Sequence, residues 1–208
     1  MIERIAKNNL EMMSVILAVV LCVSLIFWER LTLAGRALLG YMLLYTLHEW
    51  EESRIPGGFY DLFFGGFGMT ITASEARMHL PVAIYILVML LVPFALQQIT
   101  FLTLIPLGLG LFEGVIHVAG IKIHKLKKPY TPGMITGLIL FAYSIFVLTQ
   151  INKAGGLPAW QWIVDFLLSF AGFAVMERFF LRTVGLTFGE FRKMAMARVL
   201  GSKKQQDK

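Results

Sequence analysis

Long apolar runs separated by short polar segments are the dominant pattern along this chain. Each of six runs can cross the roughly 30 Å hydrocarbon core of a bilayer as a helix, the shorter ones by including flanking residues. The runs cover residues 10–28, 31–50, 80–96, 99–121, 134–148 and 159–181. Because the apolar residues are continuous rather than confined to one helical face, the pattern predicts an all-α bundle of six transmembrane helices.

The composition supports a membrane protein with a single domain. The 208 residues are 57% hydrophobic and 15% charged, whereas a soluble domain carries about 25% charged residues. We interpret residues 1–200 as one six-helix membrane domain and residues 201–208 as a short basic tail. Trp28-Glu29-Arg30 follows the first run in place of a small-residue cleavage site, so we expect a retained span rather than a cleaved signal peptide.

The distribution of basic residues predicts the orientation of the bundle. With a cytoplasmic N-terminus, 16 of the 19 Lys and Arg residues fall on the cytoplasmic side. Both termini are therefore expected in the cytoplasm, in an integral multi-pass protein of a bacterial inner membrane. The net charge of +6 reflects this topology and the attraction of anionic headgroups, and it does not indicate a nucleic-acid partner.

Ionisable residues inside two of the apolar runs are the candidate functional residues. His48, Glu51 and Glu52 share one face at the end of the second run, and Glu113 and His117 align four residues apart in the fourth. Charge is costly in hydrocarbon, so residues of this kind mark functional sites by default. Both runs approach the cytoplasm in the same direction, which predicts one pocket on that side. His48, Glu52, Glu113 and His117 are expected to converge there, with Glu51 and Tyr130 at its margin.

Two kinds of chemistry fit this set of residues. Imidazole and carboxylate groups on facing helices bind Zn, Fe or Mn, with candidate ligands His48, Glu51, Glu52, Glu113 and His117. The single cysteine, Cys22, excludes a site made of several thiolates. The metal-free alternative is a proton-transfer site. In either case Glu52 and Glu113 are the candidate catalytic carboxylates, with Tyr130 at the margin as a hydrogen-bond donor or acid.

Two further expectations concern the surroundings of this pocket. Residues 53–73 contain several glycines and aromatic residues, which we interpret as a non-helical lid over the cytoplasmic end or as a connector lying on the headgroups. Arg36 and Asp165 lie at equal depth from the outer face in the second and sixth runs. Their opposite charges predict a structural ion pair.

The motif residues resemble those of a family of small integral membrane proteins. His48-Glu49-Trp50-Glu51-Glu52 is an H-x-x-E-E string, a further histidine lies at position 117, and Tyr130-Thr131-Pro132-Gly133 is a Y-x-P-G motif. This order is similar to the HXXEE family, over about residues 38 to 150. The resemblance implies that these motif residues form the functional site, but it implies no particular reaction.

Three classes of function remain open from the sequence. The first is a membrane-embedded enzyme that acts on a lipid or another lipophilic substrate, either with a metal or by proton transfer. The second is a proton- or ion-coupled transporter, since buried carboxylates and histidines also serve transport. The third is a membrane scaffold in which the His and Glu residues are structural.

Overall fold

The computed structural model describes residues 6–66, 75–194 and 196, and it contains helices and no strand within them. The predicted all-α class is therefore confirmed for this part of the chain. The long helices are α1 (Asn9–Ile26), α2 (Leu33–Ser53), α4 (Glu75–Ala95), α5 (Leu104–Ile123), α6 (Met134–Lys153) and α7 (Ala159–Thr183), and α3 (Phe59–Gly66) is short. Two 3-10 turns, Trp28–Arg30 and Thr100–Thr103, precede α2 and α5. The predicted tail at 201–208 lies outside the described residues.

Helix α2 occupies the centre of the bundle. It packs against α1, α4 and α6, and its last turn contacts α3. More than half of its residues are buried, including Tyr41, Tyr45 and His48, whereas α7 buries only Asp165 and Leu181. The helix with the most ionisable residues in its final turns thus has most of its residues covered by other parts of the bundle.

Four helical segments are long and apolar enough to cross a membrane, which makes this a membrane protein by length and composition. They are α1, residues 77–95 of α4, α5 together with its preceding 3-10 turn, and α6. Helices α2 and α7 have 21 and 25 residues and are also long enough, but they are less apolar. Large apolar side chains such as Val15, Val88 and Phe146 remain exposed on the surface of the bundle, as expected for contact with lipid.

Helices α5 and α6 form the most extensive helix–helix contact. The short connection between them predicts this antiparallel pair, and glycines bring the two helices together. A Cβ atom placed on Gly110 would lie 2.5 Å from Oγ of Ser144, and one on Gly114 would lie 2.5 Å from Cβ of Phe141. The close approach of these helices therefore depends on having glycine, which has no side chain, at these two positions.

The segment after α2 contains a helix that the glycines led us not to expect. Residues 59–66 form α3, and its glycines lie at the end of the helix rather than in its middle. The ring of Phe180 in α7 lies 5.7 Å from the ring of Tyr60 and 5.6 Å from that of Phe64. This aromatic packing outweighs the low helix propensity of two glycines, at about 1 kcal/mol each. Residues 67–73 of the predicted lid lie outside the described residues.

The predicted ion pair between Arg36 and Asp165 is wrong. The guanidinium of Arg36 lies 3.9 Å from the carboxylate of Glu29 and over the ring of Trp28, with 4.9 Å to the centroid. Asp165 is buried, and its Oδ1 has no hydrogen-bond partner among the described residues. Equal depth was not enough, because a pair also requires that the two side chains point toward each other around their helix axes.

Substitution of Gly110 by Ala is expected to lower the thermal unfolding midpoint of the protein in detergent. The added methyl group meets Ser144 and the carbonyl oxygen of Leu140, and overpacking of this kind typically costs about 1–3 kcal/mol. Gly108→Ala is the matched control, because a Cβ there meets no atom within 4 Å and gains roughly 1 kcal/mol in helix propensity. Equal midpoints for the two variants would contradict the close α5–α6 contact.

Candidate metal centre

Four ionisable side chains from two helices, α2 and α5, meet at one point. His48 and Glu52 extend from the last turns of α2, and Glu113 and His117 extend from the middle of α5. One ligand atom from each residue lies within 4.8 Å of the ligand atoms of the other three. His48 and His117 are almost completely buried, at 1% and 2% exposure. The convergence predicted from helical spacing is observed for these four residues, and they can hold a metal ion.

The four atoms form a ring in which nitrogen and oxygen alternate. Nε2 of His117 lies 3.1 Å from Oε1 of Glu52 and 3.6 Å from Oε2 of Glu113. Nε2 of His48 lies 3.6 Å from each of the same two oxygens. Each imidazole therefore faces both carboxylates, and each carboxylate faces both imidazoles.

The hydroxyl of Thr131 determines which nitrogen of His117 faces the other three residues as an acceptor. Oγ1 of Thr131 donates to the carbonyl oxygen of His117 at 3.2 Å, which uses its only proton. Its contact with Nδ1 of His117, at 3.1 Å, therefore requires Nδ1–H as the donor. In the neutral imidazole the lone pair is then on Nε2, the atom that faces Glu52 and Glu113.

Thr136 has the same effect on His48. Its Oγ1 donates to Oε2 of Glu51 at 2.5 Å, so its 2.9 Å contact with Nδ1 of His48 is a hydrogen bond donated by the imidazole. In the neutral imidazole of His48 the lone pair is consequently also on Nε2. Metal-binding histidines characteristically donate their other N–H to an oxygen acceptor, which fixes the tautomer and the orientation of the ring.

The N–O distances between the four ligand atoms fit a bound metal ion better than they fit direct hydrogen bonds. Charge-assisted N–H···O hydrogen bonds are about 2.7–2.9 Å long, but three of the four N–O distances are 3.6 Å. Nε2 of His117 has no hydrogen-bond partner among the described residues, although it is buried. Ligand atoms that each lie about 2.1 Å from one shared ion are roughly 3–4 Å apart, a range that includes the observed N–O distances.

The formal charge of the group also fits a divalent cation. Two neutral imidazoles and two carboxylates carry a charge of about −2, and a buried ion costs several kcal/mol when it is not compensated. Within the described part of the chain, the ion-pair partners of Glu52 and Glu113 are these histidines, with no Lys or Arg among them. A divalent metal would make the group neutral.

Glu51 is not one of the four converging residues, although the sequence made it a candidate ligand. Its oxygens accept hydrogen bonds from the backbone N–H groups of Ile135 and Thr136, at 3.1 and 2.7 Å. These are among the first N–H groups of α6, which have no partner within their own helix. Glu51 therefore caps the N-terminus of α6 and favourably opposes its dipole.

Tyr130, the candidate acid, also contacts Glu51. Its hydroxyl donates to Oε1 of Glu51 at 3.0 Å. Partial burial and this hydrogen bond raise the pKa of Tyr130 to about 12. Tyr130 thus stays protonated near neutral pH, and its hydroxyl stabilises the carboxylate that caps α6.

Gly133 borders the ring of four ligand atoms on one side, and α3 covers it on another side. Gly133 has φ +89°, and a Cβ atom there would lie 2.6 Å from Cε1 of His117 and 2.7 Å from Cγ of Glu52. Only a glycine allows both this backbone conformation and this approach. The aromatic ring of Phe59 lies 5.8 Å from the imidazole of His117, so the short helix shields the histidine.

A second buried ionisable cluster lies close by and was not identified from the sequence. Nε2 of His79 lies 2.6 Å from Oε2 of Glu49, and its Nδ1 lies 2.5 Å from Oδ1 of Asn9. These three side chains link α4, α2 and α1. Both partners of His79 are distant along the chain, so no local spacing indicates this cluster.

Comparisons with protein-family models, with curated proteins and with solved structures give no match for this chain. The resemblance to the HXXEE family therefore rests on the motif residues alone. The structure gives each motif a physical role in the site: the H-x-x-E-E string provides His48, Glu51 and Glu52, and the Y-x-P-G motif provides the turn that holds Thr131 and Gly133.

Substitution of Gly133 by Ala is expected to abolish metal binding, because the methyl group occupies space next to His117 and Glu52. Gly185→Ala is the matched control. Gly185 also has a positive φ, +76°, but a Cβ there meets no atom within 4 Å. Both variants bear the cost of a left-handed backbone, roughly 1–2 kcal/mol. Competition with a chelator for Zn²⁺ or Mn²⁺ measures the difference, and equal affinities would contradict the role of Gly133.

Replacement of the Thr131 hydroxyl by a methyl group, in Thr131→Val, is expected to weaken metal binding about 10- to 100-fold. The variant removes the acceptor for Nδ1–H of His117 and keeps the shape of the side chain. Thr46→Val is the control, since the hydroxyl of Thr46 bonds only to the carbonyl of Met42 in its own helix. The same competition measurement applies. An unchanged affinity in Thr131→Val would show that this hydroxyl does not orient the histidine.

Proposed function

We propose that this protein is a membrane-embedded enzyme whose His48, Glu52, Glu113 and His117 bind one divalent metal ion, Zn, Fe or Mn. The substrate is a lipid or another lipophilic molecule that reaches the site from the bilayer. The observation that carries this proposal is the ring of two nitrogen and two oxygen atoms, which has both lone-pair nitrogens directed inward. A metal in such a site polarises an oxygen of the substrate or activates a water molecule.

The surroundings of the ring support access by substrate. The side chain of Glu113 is 18% exposed, against 10% for Glu52 and 1–2% for the two histidines, so the ring is most open at Glu113. The adjacent residue Phe112 is exposed on the bundle surface. A metal with five or six ligands would keep positions open for substrate, as a catalytic site requires.

The proposed setting is a bundle of six spans with both termini in the cytoplasm of a bacterial cell. Helix α7 supports the sixth span, because Ile163, Phe166 and Phe170 expose more than 60% of their surface. Helix α2 supports another, since the ionisable residues of its final turns are buried. Under the charge distribution of the loops, the metal-binding ring then opens toward the cytoplasmic half of the membrane.

Protein purified without chelator is expected to contain about one divalent metal ion per chain by elemental analysis. The variant His117→Ala should lose the metal, because it removes one of four ligands, whereas His124→Ala should retain it, because His124 is outside the group. If intact wild-type protein carries no stoichiometric metal, the metal proposal fails. The proton-transfer alternative would then predict a pH-dependent activity that is lost in Glu113→Gln.

The lipid-substrate proposal has a separate test. Wild-type protein and Glu113→Gln are reconstituted, with metal, into liposomes made from a total bacterial lipid extract. We expect mass spectrometry to show one lipid class changing with time only in the wild-type sample. If every lipid class stays unchanged while the metal remains bound, the site is not a lipid-modifying one, and the scaffold hypothesis gains support.

A further inference from the structure

One face of α7 carries three polar atoms that the described protein leaves without hydrogen-bond partners. They are Oε1 of Gln161, Oδ1 of Asp165 and Oγ of Ser169. The three residues are spaced four apart, so they lie one above another along the helix over about 12 Å. This face packs toward α4 and α5, and the opposite face, with Phe166 and Phe170, is exposed.

Such a row of unpaired atoms is unusual inside a membrane bundle. A buried polar group without a partner costs about 1–3 kcal/mol, and a buried carboxylate costs more. Hydroxyl groups in other helices of this protein avoid that cost by bonding to a carbonyl in their own helix, as Ser14 does to Leu10 and Thr46 to Met42. Ser169 makes no such bond, and Asp165 is only 6% exposed.

The row leads toward the metal-binding ring. Tyr85 of α4 packs against α7, where a Cβ on Gly172 would lie 3.2 Å from its ring. Next to Gly172, the ring of Phe173 lies 5.9 Å from the ring of Phe112, which precedes Glu113 in α5. The adjoining 3-10 turn, Thr100–Thr103, has no titratable side chain.

We propose that Gln161, Asp165 and Ser169 line a hydrated path that admits water and protons from the Ala159 end of α7 toward Tyr85 and Glu113. Water provides the missing hydrogen bonds, because each buried water molecule typically bonds to about three polar groups. A bound metal cation does not fit: it needs oxygens about 2.3–2.6 Å away on several sides, and the three side chains are spread along two turns of one helix. The path does not depend on whether the ring binds a metal.

Cysteine accessibility in lipid nanodiscs tests the path, because a thiol reacts with a methanethiosulfonate reagent only as a thiolate, which forms in water. In a Cys22→Ala background, Ser169→Cys and Gln161→Cys are compared with Leu168→Cys and Phe170→Cys, which are exposed on the bundle surface. We expect the first two to react with a small charged reagent at least tenfold faster than the last two. Equal rates for the two pairs, in variants with unchanged unfolding midpoints, would overturn the proposal.

The charge of Asp165 provides a second, independent readout. In the Ser169→Cys variant, Asp165→Asn should slow the reaction of a cationic reagent several-fold and leave that of a neutral reagent of similar size unchanged. Asp61→Asn, at an exposed position in α3, is the matched control and should change neither rate. If Asp165→Asn affects both reagents equally, the carboxylate does not attract cations, and the proton-admitting role of the path is wrong.

Discussion

Compensation of buried negative charge is the constraint on which this structure depends. Each buried carboxylate at the end of α2 is matched by a different kind of partner. Glu49 pairs with His79, Glu51 accepts hydrogen bonds from the first turn of α6, and Glu52 faces His48 and His117. Because an uncompensated buried ion costs several kcal/mol, these partners largely determine which helices pack around α2 and in what rotation.

The first turn of α6 contacts both Glu51 and one of the histidines that face Glu52. Thr136 bonds to Glu51 and accepts from His48, so the residue that caps the helix is linked through one hydroxyl to a candidate metal ligand. Thr131, in the preceding turn, accepts a hydrogen bond from His117 and so orients the second histidine. The docking of α6 and the orientation of both histidines are therefore one cooperative arrangement, and its local rigidity would hold the ring of ligand atoms in place.

Much of the architecture was readable from the sequence because it depends on local periodicity. The long helices follow from apolar runs, and the meeting of His48, Glu52, Glu113 and His117 follows from spacings of four residues and a common direction of two helices. The predicted pair of Arg36 and Asp165 is wrong, because the prediction considered only their depth in the membrane. It did not consider the directions in which the two side chains point around their helix axes. The glycines near α3 were weighed without the aromatic contacts to Phe180 that stabilise that helix.

The sequence by itself determined the all-helical class and the membrane character, and its five candidate ligands include the four residues that can hold a metal. It did not separate the roles of Glu49, Glu51 and Glu52, since three adjacent carboxylates look alike in one dimension. Only the tertiary structure separated them, because successive residues of a helix point about 100° apart and so meet different neighbours. Those neighbours, α4, α6 and α5, come from distant parts of the chain, and no local pattern specifies which of them lies on which side of α2.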